Sequence, residues 1–220
     1  MLQILNKTQL QIPLFHGTST LFLDNINQYG LGRYDQLKEY RAMEMLEELY
    51  GVCREYTNFT WADPVSNLVC EKILSKDDTS WQYNGTFLST SRYKAWNHAT
   101  LNSYGSELLS AAMYLYDVLL ACGLKYSLKD SSHNCLITQL QRSQIYPCML
   151  RVDHANLSNL KLDRHSGIEL EDAVLELERE YLTNPDACGD LCQIDFICPY
   201  GVDLSWKLIK FDQEQNGGFL

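Results

Sequence analysis

Apolar residues recur along the chain at spacings that predict several amphipathic helices. Residues 42–53 have apolar side chains three or four positions apart, the interval that places them on one helical face. Residues 108–120 carry a wider apolar stripe and predict a mostly buried helix. Residues 170–181 are apolar on one helical face and acidic on the other, which indicates one solvated side. Shorter stretches with similar spacing predict helices over residues 21–29, 65–74 and 94–99.

Short apolar or alternating runs predict strands between these helices. The predicted strands cover residues 9–15, 86–90, 145–152, 191–198 and 204–211. Polar segments are predicted as loops, among them residues 75–85 and 129–134. The elements mix without a regular strand–helix alternation, which favours an α+β fold. At 220 residues the chain is predicted to form a single domain, residues 1–220.

The charge of the chain restricts its partners. It has 28 acidic and 18 basic residues, a formal net charge of -10. Nonspecific nucleic-acid binding depends on clustered Lys and Arg, so this balance disfavours a general phosphate-binding surface. No apolar run reaches the ~18–20 residues of a membrane span and no signal-peptide pattern is present. We therefore expect no membrane partner and a cytoplasmic location, in the producing cell or in a target cell.

The eight cysteines contain no CxxC pair, which favours reduced thiols. Cys188, Cys192 and Cys198 could join the distant His133 and Cys135 in a zinc site, but this spacing matches no common zinc pattern. We therefore expect no metal site. We also expect His133 at the surface without a functional role.

Three short segments carry polar residues that are unusual for their setting. Residues 15–18, Phe-His-Gly-Thr, stand at the predicted junction of a strand and a helix. Residues 87–91, Phe-Leu-Ser-Thr-Ser, end a predicted strand with hydroxyl side chains, and His98 follows shortly after. Gln193 and Asp195 would share one face of a predicted strand because strand side chains alternate. Such a polar pair needs a partner or a wet cleft.

In this order the segments resemble the motifs of the ADP-ribosyltransferase superfamily, whose members split NAD and transfer ADP-ribose. The first motif is similar to residues 14–18. The second is similar to residues 87–91, close to the F-x-S-T-S form of the arginine-type branch, whereas the first-motif histidine belongs to the polymerase and diphtheria-toxin branch. The third motif, Q-x-E or E-x-E, has Gln193 and Asp195 in its polar positions. The resemblance implies a split β-sheet core with flanking helices and NAD as co-substrate.

The first motif implies contacts with NAD near the adenosine-side ribose and the nicotinamide. His16 would hold a ribose hydroxyl, as the family histidine does. Gly17 would let the backbone approach the nicotinamide amide, since it has no side chain. Thr18 completes this motif.

The second motif implies contacts with the nicotinamide ring and the acid. Phe87, together with His98 or Tyr93, would offer a flat face to the ring. Ser89 and Thr90 would orient the acid or the ribose.

The third motif departs from the family because the usual catalytic Glu is missing. Positive charge grows on the ribose as the nicotinamide bond breaks, so a fixed carboxylate lowers the barrier. Alignment on Pro199 places Asp195 in the Glu position, and alignment on residues 202–211 places Gln193 there. We favour Asp195 as the acid, with Gln193 positioning the acceptor.

The resemblance implies a mono-ADP-ribosyltransferase, with the compact size of a bacterial or phage toxin or effector. Its acceptor would be a macromolecule, a protein more readily than a nucleic acid, and its partners would include an antitoxin or chaperone. A catalytically weakened binding module and a toxin–antitoxin-type transferase that modifies nucleic acid are the alternatives. An RNA phosphotransferase of related fold would need clustered basic residues, which the chain lacks.

Overall fold

The structure, a computed structural model, describes residues 4–6, 8–56, 74–75, 85–163, 169–202 and 204–209. Within them the fold is α+β, as the sequence predicts. The strands are β1 (Leu5–Asn6), β2 (Gln9–Leu10), β3 (Leu14–Ser19), β4 (Gly85–Ser89), β5 (Pro147–Val152), β6 (Lys161–Leu162), β7 (Asp195–Pro199) and β8 (Trp206–Ile209). The helices are α1 (Leu23–Tyr29), α2 (Gln36–Glu39), α3 (Ala42–Tyr56), α4 (Arg92–Leu101), α5 (Glu107–Ala121), α6 (Ser131–Arg142), α7 (Leu170–Thr183) and α8 (Cys188–Cys192).

Most of the described strands belong to one antiparallel sheet. β1 and β2 form a separate hairpin, and the other six described strands are ordered β6-β7-β4-β3-β5-β8. β3 and β4 therefore lie side by side at the centre, although α1, α2 and α3 separate them along the chain. This order brings all three polar segments onto neighbouring strands or their ends.

The two central strands part from each other over most of their length. β3 has six residues and β4 has five. They nevertheless pair at a single position, where Phe15 lies opposite Ser89. On its outer side β3 pairs with β5 at six positions, and β4 pairs with β7 at five. The sheet is therefore continuous at its flanks and split in the middle.

Apolar side chains form two large cores that hold these strands in place. One core packs the sheet against α7 and includes Leu14, Leu88, Leu150, Phe196, Val174 and Leu177. The other lies among α3, α5 and α6 and includes Leu46, Leu49, Leu109, Met113, Leu115 and Ile137. The wide apolar stripe of α5 is thus buried, as its pattern predicts.

Helix α4 lies directly on β3 at Gly17. A Cβ atom there would collide with the backbone oxygen of Ala95 and stand 3.1 Å from the backbone nitrogen of Ala99. Gly17 is therefore required for the close approach of strand and helix. The same approach brings His98 of α4 within electrostatic range of His16.

Most predicted elements are confirmed, with shifts of a few residues at their ends. The predicted helices correspond to α1, α3, α4, α5 and α7, and three predicted strands correspond to β4, β5 and β8. The helix predicted over residues 65–74 lies, apart from its last residue, outside the described residues, as does most of the loop predicted over residues 75–85.

The strand predicted over residues 9–15 is wrong in its bounds. β2 ends at Leu10 and β3 runs from Leu14 to Ser19. The Phe-His-Gly-Thr segment therefore lies inside a strand and not at its end. A strand setting explains why the side chain of His16 can reach the neighbouring strand.

The loop predicted over residues 129–134 is also wrong, because α6 begins at Ser131. The polar residues that suggested a loop form a helix cap, in which Asp130 accepts a hydrogen bond from the Ser132 backbone N–H at 2.8 Å. His133, expected at the surface, is 2% exposed, and neither ring nitrogen has a hydrogen-bond partner among the described residues. Its position on the inner face of α6 accounts for this burial.

Candidate functional site

The parted strands β3 and β4 border a cleft of about 230 Å³. His16 and Thr18 line it from β3, Thr86 and Phe87 line it from β4, and His98 lines it from α4. Apolar and aromatic residues complete much of the wall, among them Phe22, Ile26, Leu31, Tyr34, Leu37 and Tyr200. Apolar walls with a few polar groups are typical of ligand sites, whose volumes are usually about 300–1,000 Å³. The cleft is thus large enough for one ring-sized part of a larger ligand.

His16 bridges the two parted strands. Its Nδ1 lies 2.8 Å from the carbonyl oxygen of Phe87. Because a carbonyl only accepts hydrogen bonds, Nδ1 carries the proton. Burial lowers the pKa of His16 to about 4, so the ring is neutral near pH 7. Its Nε2 is therefore a hydrogen-bond acceptor.

His98 has the opposite arrangement of donor and acceptor. Asn102 Nδ2 donates to the backbone oxygen of His98 at 3.0 Å, which fixes the orientation of the amide, and lies 3.3 Å from His98 Nδ1. Nδ1 therefore accepts, and the neutral ring carries its proton on Nε2. Burial lowers the pKa of His98, and Glu107, 4.0 Å from Nδ1, partly opposes this shift. The cleft thus combines one imidazole acceptor with one imidazole donor.

Ser89 and Thr90 use their hydroxyl groups to hold the end of β4. Ser89 Oγ accepts a hydrogen bond from the Ser91 backbone N–H at 3.1 Å. Thr90 Oγ1 donates to the Gly189 carbonyl at 3.0 Å and accepts from the Ile194 backbone N–H at 2.9 Å. Thr90 therefore ties β4 to α8 and to the residue that precedes Asp195.

Ser91 connects the same turn to α4 and α8. Its Oγ accepts from the Lys94 backbone N–H at 3.1 Å, which caps α4, and donates to Asp190 Oδ1 at 2.7 Å. The whole Ser-Thr-Ser segment thus acts locally as a set of caps and ties.

Asp195 begins β7 at the closed end of the split. It lies opposite Ser89, which lies opposite Phe15. Asp195 is 7% exposed and one carboxylate oxygen forms an ion pair with Lys94 Nζ. The other oxygen, Oδ1, is buried and accepts no hydrogen bond from the described residues. A buried oxygen in this state favours a donor such as a hydroxyl group or water.

Asp195 and Phe87 share one face of the sheet. Phe87 lies opposite Ile197, two residues along β7 from Asp195. Diagonal neighbours of this kind are about 7–8 Å apart, within reach of an aromatic side chain. Asp195 does not itself line the cleft but lies beside its closed end.

Gln193 does not share a strand with Asp195, so that prediction is wrong. Residues 191–192 belong to α8, and Gln193 ends this helix in the left-handed conformation, with φ 52° and ψ 38°. A left-handed residue is a common way to end a helix. Gln193 is exposed, and β7 begins only at Asp195.

The structure brings together most of the residues that the sequence singles out. His16, Thr18, Phe87 and His98 line the cleft. Gly17, Ser89, Thr90 and Asp195 surround it on the strands and turns that build it, and Gln193 alone lies apart at the end of α8.

The sequence did not single out several other residues that line the cleft. Tyr34 precedes α2, Glu107 begins α5, Asp163 follows β6 and Tyr200 follows β7. They come from four separate segments, and no local pattern connects them. Only the order of the strands shows that they meet.

No group of three or more His, Cys, Asp or Glu in the described part of the chain is placed to hold a metal ion. Cys188 and Cys198, considered as zinc ligands, are buried free thiols, and burial raises the pKa of each. Among the helices of these same residues, none has the length and apolarity needed to cross a membrane.

Comparison of the chain with protein-family models, with curated proteins and with solved structures finds no significant match. A function is therefore inferred from the cleft and its residues.

Proposed function

We propose that the protein is an NAD-dependent mono-ADP-ribosyltransferase with an ADP-ribosyltransferase-like split-sheet fold. The observation that carries the proposal is the cleft between the parted strands, where His16, Phe87 and His98 meet beside the buried Asp195. These residues come from separate segments of the chain. They are the ones to which the family resemblance assigns contacts with NAD and the role of the acid.

The cleft suits the nicotinamide end of NAD. Phe87 offers an aromatic face to the ring, and the Nε2–H of His98 donates to the carboxamide oxygen. The Nε2 of His16 accepts a hydrogen bond from a ribose hydroxyl. β3 has no further ladder pair with β4 beyond Phe15 among the described residues, so its backbone at Gly17 can bind a ligand as an edge strand does.

The reaction breaks the bond between the nicotinamide nitrogen and the ribose carbon. Nicotinamide leaves as a neutral base with the electron pair, and positive charge develops on the ribose. Asp195 stabilises this charge, with Oδ1 accepting a ribose hydroxyl while the other oxygen stays with Lys94. A nucleophile of the acceptor then bonds to the ribose carbon and loses its proton to solvent.

The test is incubation of the full chain with labelled NAD and a cell lysate, with nicotinamide release measured in parallel. We expect label on macromolecules and nicotinamide in solution. Asp195→Asn should lower the rate about 100-fold or more. The matched control is Asp153→Asn, because Asp153 pairs with Arg151 and Lys207 outside the cleft. No release by the unmodified chain, or equal rates for both variants, would contradict the proposal.

A protein acceptor fits the net charge of -10 better than a nucleic acid does. We propose a role as a bacterial or phage toxin or effector, held in check by an antitoxin or chaperone. Digestion of the labelled lysate with protease or with nuclease separates the two acceptor classes. Label lost only on nuclease treatment would support the nucleic-acid alternative.

The second candidate is a binding module with weakened catalysis. It is favoured by the ion pair between Asp195 and Lys94 and by the shorter side chain of Asp compared with Glu. Misplacement of a catalytic group by about 1 Å can cost about 100-fold in rate. The module would bind NAD without releasing nicotinamide, or would neither bind nor turn it over, and calorimetry with NAD and with a stable NAD analogue separates these two outcomes.

A further inference from the structure

The charges around the cleft are unfavourable for phosphate. None of the described residues that line it is Lys or Arg, whereas Glu107 and Asp163 contribute carboxylates. The charge of Asp35 also reaches the cleft, since it adds to burial in raising the pKa of Tyr200. Both histidines in the wall have pKa values lowered by burial and are not cations near pH 7.

Aromatic side chains line the same cleft. Phe87, Tyr34 and Tyr200 contribute rings from different segments. Tyr34 is stacked on Tyr29 with ring centroids 4.8 Å apart. Aromatic faces attract a cation, and the attraction is stronger when the site is desolvated.

Two basic residues of the described part of the chain, Arg33 and Lys94, lie close to the cleft in sequence or structure but do not line it. Arg33 lies between Gly32 and Tyr34, but it is exposed and does not line the cleft. Lys94 pairs with Asp195 at the closed end. Among the described residues that line the cleft, a pyrophosphate would thus meet two carboxylates and no Lys or Arg.

We infer that the cleft selects a planar, cationic nitrogen heteroaromatic ring, and that the affinity for NAD comes from its pyridinium ring and not from its pyrophosphate. This inference deepens the proposed function, on which it rests for the identity of NAD as substrate. The ring preference itself depends only on the charges and aromatic walls of the cleft. The ligand class is thus the N-alkylated pyridinium carboxamides, with or without phosphate.

The test is calorimetric titration of the full chain with 1-methylnicotinamide, nicotinamide and ADP-ribose. The first two share ring and carboxamide and differ in charge. We expect 1-methylnicotinamide to bind roughly tenfold more tightly than nicotinamide, and ADP-ribose to bind more weakly than 1-methylnicotinamide. Equal affinity for the two rings, no binding of either, or tighter binding of ADP-ribose would overturn the inference.

Two variants locate the effect. Glu107→Gln should reduce the preference for the cationic ring about threefold, whereas Glu47→Gln, at an exposed position of α3, should preserve it. Arg33→Gln should leave the affinity for a non-hydrolysable NAD analogue within about twofold of the unmodified chain, the difference expected for an exposed surface charge that makes no contact with the ligand. A selective loss of affinity for that analogue, with 1-methylnicotinamide unaffected, would show that the pyrophosphate is bound and would overturn the inference.

The two proposals fail in different ways. Preference for the cationic ring without nicotinamide release from NAD would support this inference and contradict the proposed enzymatic function. Nicotinamide release without any preference for the cationic ring would support the proposed enzymatic function and contradict this inference.

Discussion

At the scale of single residues, Asp195 has two oxygens in different environments. One oxygen is fixed by Lys94, and Oδ1 is buried without a donor among the described residues. The ion pair holds the carboxylate in one orientation. In the proposed transferase the second oxygen would accept a ribose hydroxyl, and this fixed orientation would position an acid shorter than Glu.

His16 should make the stability of the fold sensitive to acid. Its pKa is lowered by burial from 6.5 to about 4, so the unfolded chain binds more protons than the folded chain between these values. Stability from the neutral ring is fully present above pH 6.5 and decreases as the pH falls toward 4. In urea unfolding, the free energy of unfolding of His16→Asn should fall less between these pH values than that of the unmodified chain, by about 1–2 kcal/mol.

For each of the two proteins, the unmodified chain and His16→Asn, the quantity compared is the change in unfolding free energy between pH 6.5 and pH 4, not the unfolding free energy at one pH. His98, whose pKa is also lowered, contributes in the same direction and remains in the variant. A profile of His16→Asn parallel to that of the unmodified chain would contradict the lowered pKa and neutral state of the half-buried His16.

At the scale of elements, the contact between α4 and β3 positions one wall of the cleft. Gly17→Ala would place a Cβ against the backbone of Ala95 and should destabilise the fold by about 1–3 kcal/mol. Gly51→Ala is the control, because nothing lies within 4 Å of its Cβ and it stands inside α3. This control should stabilise by about 0.5–1 kcal/mol. Thermal unfolding measures the stability change of both variants. A change in the same direction for both would contradict the close packing of α4 against Gly17.

We predict that Thr90 acts as a positioning residue in the proposed transferase, because its hydroxyl accepts a hydrogen bond from the backbone of Ile194, next to Asp195. Thr90→Val removes the hydroxyl that bonds Gly189 and Ile194, and Thr90→Ser retains it. We expect Thr90→Val to lower the free energy of unfolding by about 1–3 kcal/mol. It should also lower kcat by a larger factor than it changes KM, whereas Thr90→Ser should stay close to the unmodified chain in all three quantities. The measurement is nicotinamide release together with urea unfolding. Equal kcat for both variants would exclude a positioning role.

Periodicity predicted the long helices and most strands because their apolar faces repeat over several turns. It failed where a few polar residues were compatible with two different local structures. Asp130 and Ser132 suggested a loop and form the cap of α6. Gln193 suggested a strand position and ends α8 in a left-handed conformation. A local pattern cannot distinguish these cases, since the packing that decides between them comes from distant elements.

At the scale of the whole molecule, strand order creates the site. β4 lies between β3 and β7 in the sheet although long segments separate the three strands along the chain. The sequence indicated His16, Phe87, His98 and Asp195 separately, on the basis of a family resemblance. It gave no indication of the split between β3 and β4 beyond that resemblance, because strand pairing depends on the cores that hold each strand from outside.

The structure also shows where acidic residues of the chain lie. Part of the net charge of -10 lies on the exposed face of α7, and another part lies around the cleft at Glu107, Asp163 and Asp35. The same sign of charge that disfavours a nucleic-acid acceptor thus favours a cationic ring in the cleft. Both expectations follow from one distribution of carboxylates.

A crystal structure of the full chain with a non-hydrolysable NAD analogue would show directly whether the cleft binds NAD as proposed. We expect the nicotinamide ring between β3 and β4, against Phe87, with a ribose hydroxyl within hydrogen-bond distance of His16 Nε2 and another near Asp195 Oδ1. An analogue bound away from this cleft, or a ribose that faces neither His16 nor Asp195, would contradict it.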